Sequence, residues 1–229
     1  MWLINSSIGK KVIMSVTGLA LFLFLTFHAC MNVVALISGE AYNLICEFLG
    51  ANWYALVGTG ALAALAVVHI LYAFLLTYQN RKARGNNRYA VTAKPEKVEW
   101  ASQNMLVLGI IIVCGLLLHL YNFWFNMMFA EITGMAVPYS PSDGYAYIQQ
   151  TFSNPIIAVI YLIWLAALWF HLSHGFWSGI QTLGVNGKVW FNRWKIIGII
   201  WVTVVIAMFV AVILGFALFP DCAGNCCSL

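Results

Sequence analysis

The sequence predicts an all-α integral membrane protein, a bundle of five transmembrane helices. Hydrophobic residues make up 63% of the 229 residues and charged residues only 8%, whereas a soluble domain carries about 25% charged residues. Five long stretches contain no charged residue, and each reaches the roughly 20 apolar residues that cross a bilayer core. No alternating β-barrel pattern is present, so helices are the only spanning structure on offer. This composition excludes a soluble enzyme and a nucleic-acid binder.

The five predicted spans follow one another within a single domain that covers residues 1–229. They are Val12–Ile37, Trp53–Tyr78, Met105–Phe129, Pro155–Gln181 and Ile196–Phe219. The first is too long for the apolar core of a signal peptide, and Cys30-Met31-Asn32 is a poor cleavage site, so we interpret it as a true span. We expect the fourth helix to end near Gly184, because Gly184-Val185-Asn186-Gly187 breaks a helix.

The charged residues predict the orientation of the bundle. All 11 lysines and arginines lie on one side, before the first span, between the second and third, and between the fourth and fifth. The acidic residues of the opposite side are Glu40, Glu47, Glu131, Asp143 and Asp221, with no Lys or Arg among them. The positive-inside rule then places the N-terminus in the cytoplasm and the C-terminus outside. The basic face also suits anionic membrane lipid or a soluble partner.

The five histidines are the main functional signal, because ionisable side chains at membrane depth are costly and mark functional sites. Each of the first four spans carries at least one histidine. We place His28 and His119 about 25 and 30 Å from the cytoplasmic ends of their helices, at about 1.5 Å per residue. His69 and His171 come at about 18 and 20 Å on the same scale. The depths therefore form an outer pair and an inner pair.

Two histidines that face each other at one level supply the axial ligands of a six-coordinate haem. The depths predict two haems, one held by His28 and His119 and an inner one held by His69 and His171. No Cys-x-x-Cys-His sequence occurs, so the haems are predicted to be haem b. A zinc or copper site is the competing interpretation. It would need three or four donors at one level, and the two-level pattern favours haem.

Several neighbouring residues keep two interpretations. His174 follows His171 by one turn, and it either contacts a haem propionate or a headgroup or makes an ordinary interhelical hydrogen bond. Glycines near the histidines either leave room for a flat macrocycle or allow close helix packing; they are Gly18, Gly58, Gly60, Gly109 and Gly115. Three cysteines crowd the outer tail, where they favour a disulfide, a weaker metal site, palmitoylation or simply an exposed tail; they are Cys222, Cys226 and Cys227.

Two short segments carry motifs of a known family. The first is SSIGKK at residues 6–11, followed by Met14, Thr17-Gly18, His28 and Asn32. The second is HLSHGFWS at residues 171–178, followed by QTLG at 181–184. Together they resemble the diheme cytochrome b subunit of succinate dehydrogenase and fumarate reductase, whose fourth helix carries H-x-x-x-G-x-W-S. The resemblance extends over the whole chain, with five spans in the same arrangement.

The resemblance implies four axial ligands, pairing the first helix with the third and the second with the fourth, with His171 preferred to His174. It implies a membrane anchor and electron-transfer subunit of a succinate:quinone oxidoreductase in a bacterial inner membrane. A cytoplasmic iron–sulfur subunit and a flavoprotein subunit with covalent FAD carry out the succinate–fumarate chemistry in that family. The outer haem approaches a quinone, usually menaquinone in the diheme type.

Two further residues gain candidate roles. The resemblance implies that Ser15 binds a propionate of the inner haem, and the alternative is a hydrogen bond to its own helix backbone. Glu47, just outside the second span, is a candidate proton group for quinol oxidation at the outer side. Its alternative is a solvated loop carboxylate.

Two other classes of protein remain open. The first is the cytochrome b subunit of another quinone-linked complex, such as a hydrogenase or formate dehydrogenase, which normally has a periplasmic partner. The basic cytoplasmic face and the opening motif argue against it. The second is a transporter or non-redox scaffold. Transporters usually show broken helices and midplane ion ligands, which are not evident here, and that class leaves the histidine pattern unexplained.

Overall fold

A computed structural model describes residues 6–84, 99–185 and 187–219 of the chain. Helices account for all regular structure within these ranges. They are α1 (Ser7–Ile37), α2 (Gly39–Phe48), α3 (Trp53–Arg84), α4 (Trp100–His119), a π-helix (Leu120–Phe129), α5 (Ala130–Thr133), α6 (Gly144–Phe152), α7 (Pro155–Thr182) and α8 (Trp190–Leu218). The tail cysteines at 222, 226 and 227 and the basic residues at 88, 94 and 97 lie outside the described residues.

Five helices in the described ranges are long and apolar enough to cross a membrane, which confirms the predicted number of spans. The helices run further than the uncharged segments: α1 begins five residues before Val12, and α8 begins at Trp190 rather than Ile196. Long basic side chains at helix ends reach the interface while their stems stay on the helix, so charge does not mark where a helix stops. The sidedness of the termini stays a prediction.

The helix ends carry sequence signals that the structure uses. Ser6 caps the N-terminus of α1, because its Oγ accepts a hydrogen bond from the Gly9 N–H at 2.9 Å. Asn154 caps α7 in the same way, because its side-chain oxygen accepts from the Ile156 N–H, and Pro155 takes the first helical position. The predicted end of the fourth span is confirmed, because α7 ends at Thr182 and Gly184 adopts a positive φ of 83°, a conformation that glycine adopts without strain.

Two short helices at the outer end of the bundle, the end opposite the basic segments, were predicted only as loops. Ser38 caps α2, and Asp143 caps α6. Asn43 joins the two helices, because its Nδ2 donates to Asp143 Oδ1 at 2.8 Å and its Oδ1 accepts from the Tyr145 N–H at 2.9 Å. Both helices are too short to span a bilayer, so a search for long apolar runs passes over them.

The buried core lies mainly among α1, α7 and α8. Phe22 of α1 is 2% exposed and lies against Phe176 and Trp201, with ring centres 5.6 and 5.0 Å away. In contrast, α3 packs mainly on α1 and only lightly on α4. Most large apolar side chains of α3 are exposed, as expected for a helix whose surface is solvated by lipid tails.

Gly115 provides a test of helix packing between α4 and α7. A Cβ at this position would overlap the Trp164 indole, whose Nε1 donates to the Ile112 carbonyl at 3.1 Å. We predict that Gly115→Ala destabilises the protein by about 1–3 kcal/mol, the usual cost of overpacking. Thermal unfolding in detergent, followed by circular dichroism, measures the change.

Gly109→Ala is the matched control, since it makes the same change on the same helix and no atom lies within 4 Å of the added Cβ. Alanine is the better helix former by about 1 kcal/mol, so this variant should be neutral or stabilised. Equal destabilisation of both variants would contradict the packing role of Gly115.

Candidate functional site

The structure brings His28 and His119 together. His28 lies on α1, and His119 is the last residue of α4, directly before the π-helix. Their ring centres are 5.8 Å apart, and the ring planes are nearly perpendicular at 82°. Phe24 stacks on the His28 ring, and Phe123 lies 5.1 Å from the His119 ring. This outer pair is therefore surrounded by aromatic side chains.

A polar chain connects His28 to the short outer helix α2. The Asn32 Nδ2 donates to the His28 carbonyl at 2.8 Å and lies 3.3 Å from His28 Nδ1. The Tyr42 hydroxyl, on α2, donates to Asn32 Oδ1 at 3.2 Å. Tyr42 was missed from the sequence, because its partner lies ten residues earlier, across the break between the two helices.

His69 and His171 are also brought together, from α3 and α7. Their ring centres are 6.4 Å apart, with 72° between the planes. The His171 Nδ1 is buried and has no hydrogen-bond partner in the described part of the chain. On the other side of the pair, Thr17 Oγ1 lies 3.1 Å from His69 Nδ1. In the sequence, Thr17 is marked only by the Thr17-Gly18 motif, and its contact with His69 was not predicted.

These dimensions allow a test of whether a haem fits. A metal–imidazole nitrogen bond is about 2 Å long, so two imidazoles on opposite sides of one iron have ring centres about 6 Å apart. The observed 5.8 and 6.4 Å match this separation. The two pairs therefore fit bis-histidine ligation.

The glycines divide between the two interpretations. At Gly115 the indole of Trp164 occupies the space, so this position serves helix packing. At Gly18 the His69 ring lies against the backbone, because an added Cβ would come within 3.0 Å of His69 Cε1. The remaining three, Gly58, Gly60 and Gly109, have open space beside them.

Ser15 and His174 both have partners within the protein. The Ser15 Oγ donates to the Lys11 carbonyl at 2.9 Å, which is the backbone hydrogen bond considered above. The His174 Nδ1 lies 3.0 Å from Glu99 Oε2, and the Lys195 Nζ lies 3.1 Å from Glu99 Oε1. This interhelical cluster connects α7, α8 and the start of α4. A propionate contact for either Ser15 or His174 stays a prediction.

Glu47 lies on α2 with its side chain exposed. It lines a surface cavity of about 380 Å³ together with Glu40, Asn43 and Asp143. Exposure agrees with a solvated carboxylate, and a role in proton transfer stays a prediction.

Within the described ranges, no group of three or more His, Cys, Asp and Glu side chains is placed to hold a metal ion. The zinc or copper interpretation requires such a group.

The π-helix after His119 was not predicted. The Asn126 Nδ2 donates to the Tyr121 carbonyl five residues earlier at 2.9 Å, and also to the Asn122 carbonyl at 3.2 Å. The Asn122 Nδ2 donates to the Tyr161 hydroxyl at 3.0 Å. π-Helical turns are frequent at functional sites. In the sequence, the two asparagines within an aromatic span were the one feature that marked this turn.

Comparisons with protein-family models, with curated proteins and with solved structures found no match for this chain. In the described residues all regular structure is helical, five helices are long and apolar enough to span a membrane, and four of these spans bring histidines together in two pairs.

The Glu99 cluster makes stability depend on pH. Partial burial raises the pKa of Glu99, but hydrogen bonds and attraction from His174 and Lys195 outweigh it and hold this pKa below its usual value. The stabilisation is therefore fully present above the ordinary pKa of a glutamate, and it is lost as the pH falls through the lower folded-state pKa. The Glu99 side chain is 42% exposed, so the gain is screened and stays below about 1 kcal/mol.

We predict that Glu99→Gln lowers the melting temperature slightly at neutral pH. The difference from the wild type should shrink as the pH falls through the folded-state pKa, and it should also shrink in high salt. Thermal unfolding across a pH series measures it. A difference that stays constant at acidic pH would show that the charge of Glu99 is not responsible.

Proposed function

We propose that this chain is the membrane anchor and diheme electron-transfer subunit of a succinate:quinone oxidoreductase. His28 and His119 hold the outer haem b, and His69 and His171 hold the inner one. The observation that carries the proposal is the pair geometry: two histidine pairs from four spans, each with the ring separation of two ligands on one iron. A bound haem supplies one-electron transfer.

The protein residues then act by holding and enclosing the two groups. The outer pair joins α1 to α4, and the inner pair joins α3 to α7. Since α3 packs mainly on α1, the inner haem adds a link between α3 and the rest of the bundle. The aromatic rings around the outer pair exclude water from it, and such a hydrophobic shell tunes the redox potential of a metal centre.

The two ends of the bundle support different partner surfaces in this proposal. Lys10, Lys11, Lys188, Arg193 and Lys195 are at the end assigned to the cytoplasm, where they face the iron–sulfur subunit that works with the FAD-containing flavoprotein, and anionic membrane lipid. The opposite end receives the membrane quinone, proposed to be menaquinone, near the outer haem. The location is a bacterial inner membrane. This subunit does not itself act on succinate.

Haem content tests the proposal. The purified chain should contain two haem b groups by the pyridine haemochrome assay and by the dithionite-reduced minus oxidised spectrum. Each of the substitutions His28→Ala and His119→Ala should remove one haem, and each of His69→Ala and His171→Ala should remove the other. The control His174→Ala should retain both, because that ring is paired with Glu99. A colourless wild-type protein would refute the proposal, and loss of haem from the control alone would overturn the ligand assignment.

Glu47 provides a separate test of the quinone end. If its carboxylate accepts the quinol proton, Glu47→Gln in the assembled complex should slow quinol oxidation at least about tenfold, since general acid–base groups contribute about 10²–10⁴-fold. Glu40→Gln removes a charge from the same cavity and should leave the rate near that of the wild type. Equal rates for the two variants would remove Glu47 from the proton path.

A further inference from the structure

The Thr17 side chain is buried, with 5% of its surface exposed. Its hydroxyl lies 2.8 Å from the Ile13 carbonyl and 3.1 Å from the Met14 carbonyl on its own helix. A threonine hydroxyl has one hydrogen to donate and two lone pairs that accept. Because both carbonyls only accept, that hydrogen is directed to them.

The third contact of the Thr17 hydroxyl bears on the state of His69, whose ring also has a hydrogen bond with the Met14 backbone. With its hydrogen used on α1, Thr17 Oγ1 can meet His69 Nδ1, 3.1 Å away, only as an acceptor. The Nδ1 must then carry the ring hydrogen. In a neutral imidazole the other nitrogen, Nε2, is left with the free lone pair, and this is the atom that binds a metal.

Gly18 permits this contact. A Cβ at residue 18 would lie 3.0 Å from His69 Cε1 and 3.5 Å from His69 Nδ1, so a larger residue would force the His69 ring to shift. Thr17 and Gly18 together form a seat on α1 for a ring carried by α3. We call these two residues the His69 seat.

We propose that Thr17 is a positioning residue that fixes His69 in the Nδ1–H tautomer and so presents its Nε2 to the iron of the inner haem. This inference rests on the proposed function. A hydrogen bond from the non-ligating nitrogen of a histidine fixes the ring orientation and raises the basicity of the ligand. A more basic ligand favours ferric over ferrous iron. Thr17 therefore holds the midpoint potential of the inner haem down.

The inner pair is asymmetric in this respect. His69 has the Thr17 hydroxyl at its Nδ1, whereas the buried Nδ1 of His171 has no hydrogen-bond partner among the described residues. The outer haem has a different environment, because His28 is approached by Asn32. A change at Thr17 should therefore affect one haem and not the other.

The test is a redox titration of the full chain in detergent, followed at the reduced haem absorption band, with haem content measured in parallel. Thr17→Val removes the hydroxyl at nearly constant size. We expect either a rise in one of the two midpoint potentials or loss of about half of the haem, with the second haem unchanged. The affected haem must be the one that His171→Ala removes. Thr17→Ser keeps a hydroxyl and should retain both wild-type potentials.

Thr26→Val is the matched control, since Thr26 lies on the same helix and donates to the Phe22 carbonyl at 3.0 Å in the same way. Among the described residues no histidine hydrogen-bonds to it, so both haems should be unchanged. Gly18→Ala keeps the inference testable if Thr17→Val does not fold, because it should raise the same midpoint potential or remove the same haem.

Two results would overturn the role of Thr17. The first is a folded Thr17→Val or Gly18→Ala protein that retains both haems at wild-type potentials. The second is a change of equal size in Thr26→Val. A wild-type protein without haem would instead refute the proposed function, so the two failures are distinguishable.

Discussion

The structure depends on one constraint: polar groups within a membrane span have no water to bond and must find partners inside the protein. Helices satisfy the backbone, and the hydroxyls of Ser15, Thr17 and Thr26 bond back to their own helix carbonyls. Histidine rings do not bond back to their own helix carbonyls in this way. His69 and His174 meet side chains of other segments, and the buried Nδ1 of His171 has no partner among the described residues.

The same constraint explains how the helices are held. Apolar contact gives little preference for one helix over another in lipid, and small residues and specific polar contacts decide the packing instead. The Trp164 indole packs against Gly115, and the His69 ring packs against Gly18. The same indole N–H donates a hydrogen bond to the Ile112 carbonyl of the neighbouring span. The α3 helix has few such contacts with helices other than α1, and under the proposed function a haem at the His69–His171 pair would add a link from α3 to α7.

Polar side chains connect different segments at the two ends of the bundle. Glu99 gathers His174 and Lys195 at the end that carries the basic residues. At the other end Asn43 joins two short helices, and its partner Asp143 also caps the second of them. Directional hydrogen bonds therefore fix both ends of the bundle.

Length, hydropathy and helix-breaking residues are local properties, so the amino-acid pattern was enough to predict the all-helical class, the five spans and the end of α7 near Gly184. The depths of the histidines also follow from counting residues along a helix of fixed rise. Three contacts became known only from the packed helices. The Thr17 hydroxyl lies beside the His69 ring, His174 pairs with Glu99, and the Asn126 side chain donates to the Tyr121 carbonyl within the π-helix. These contacts depend on how each helix is rotated about its axis, and that rotation is set by close packing between helices rather than by any residue's own preference.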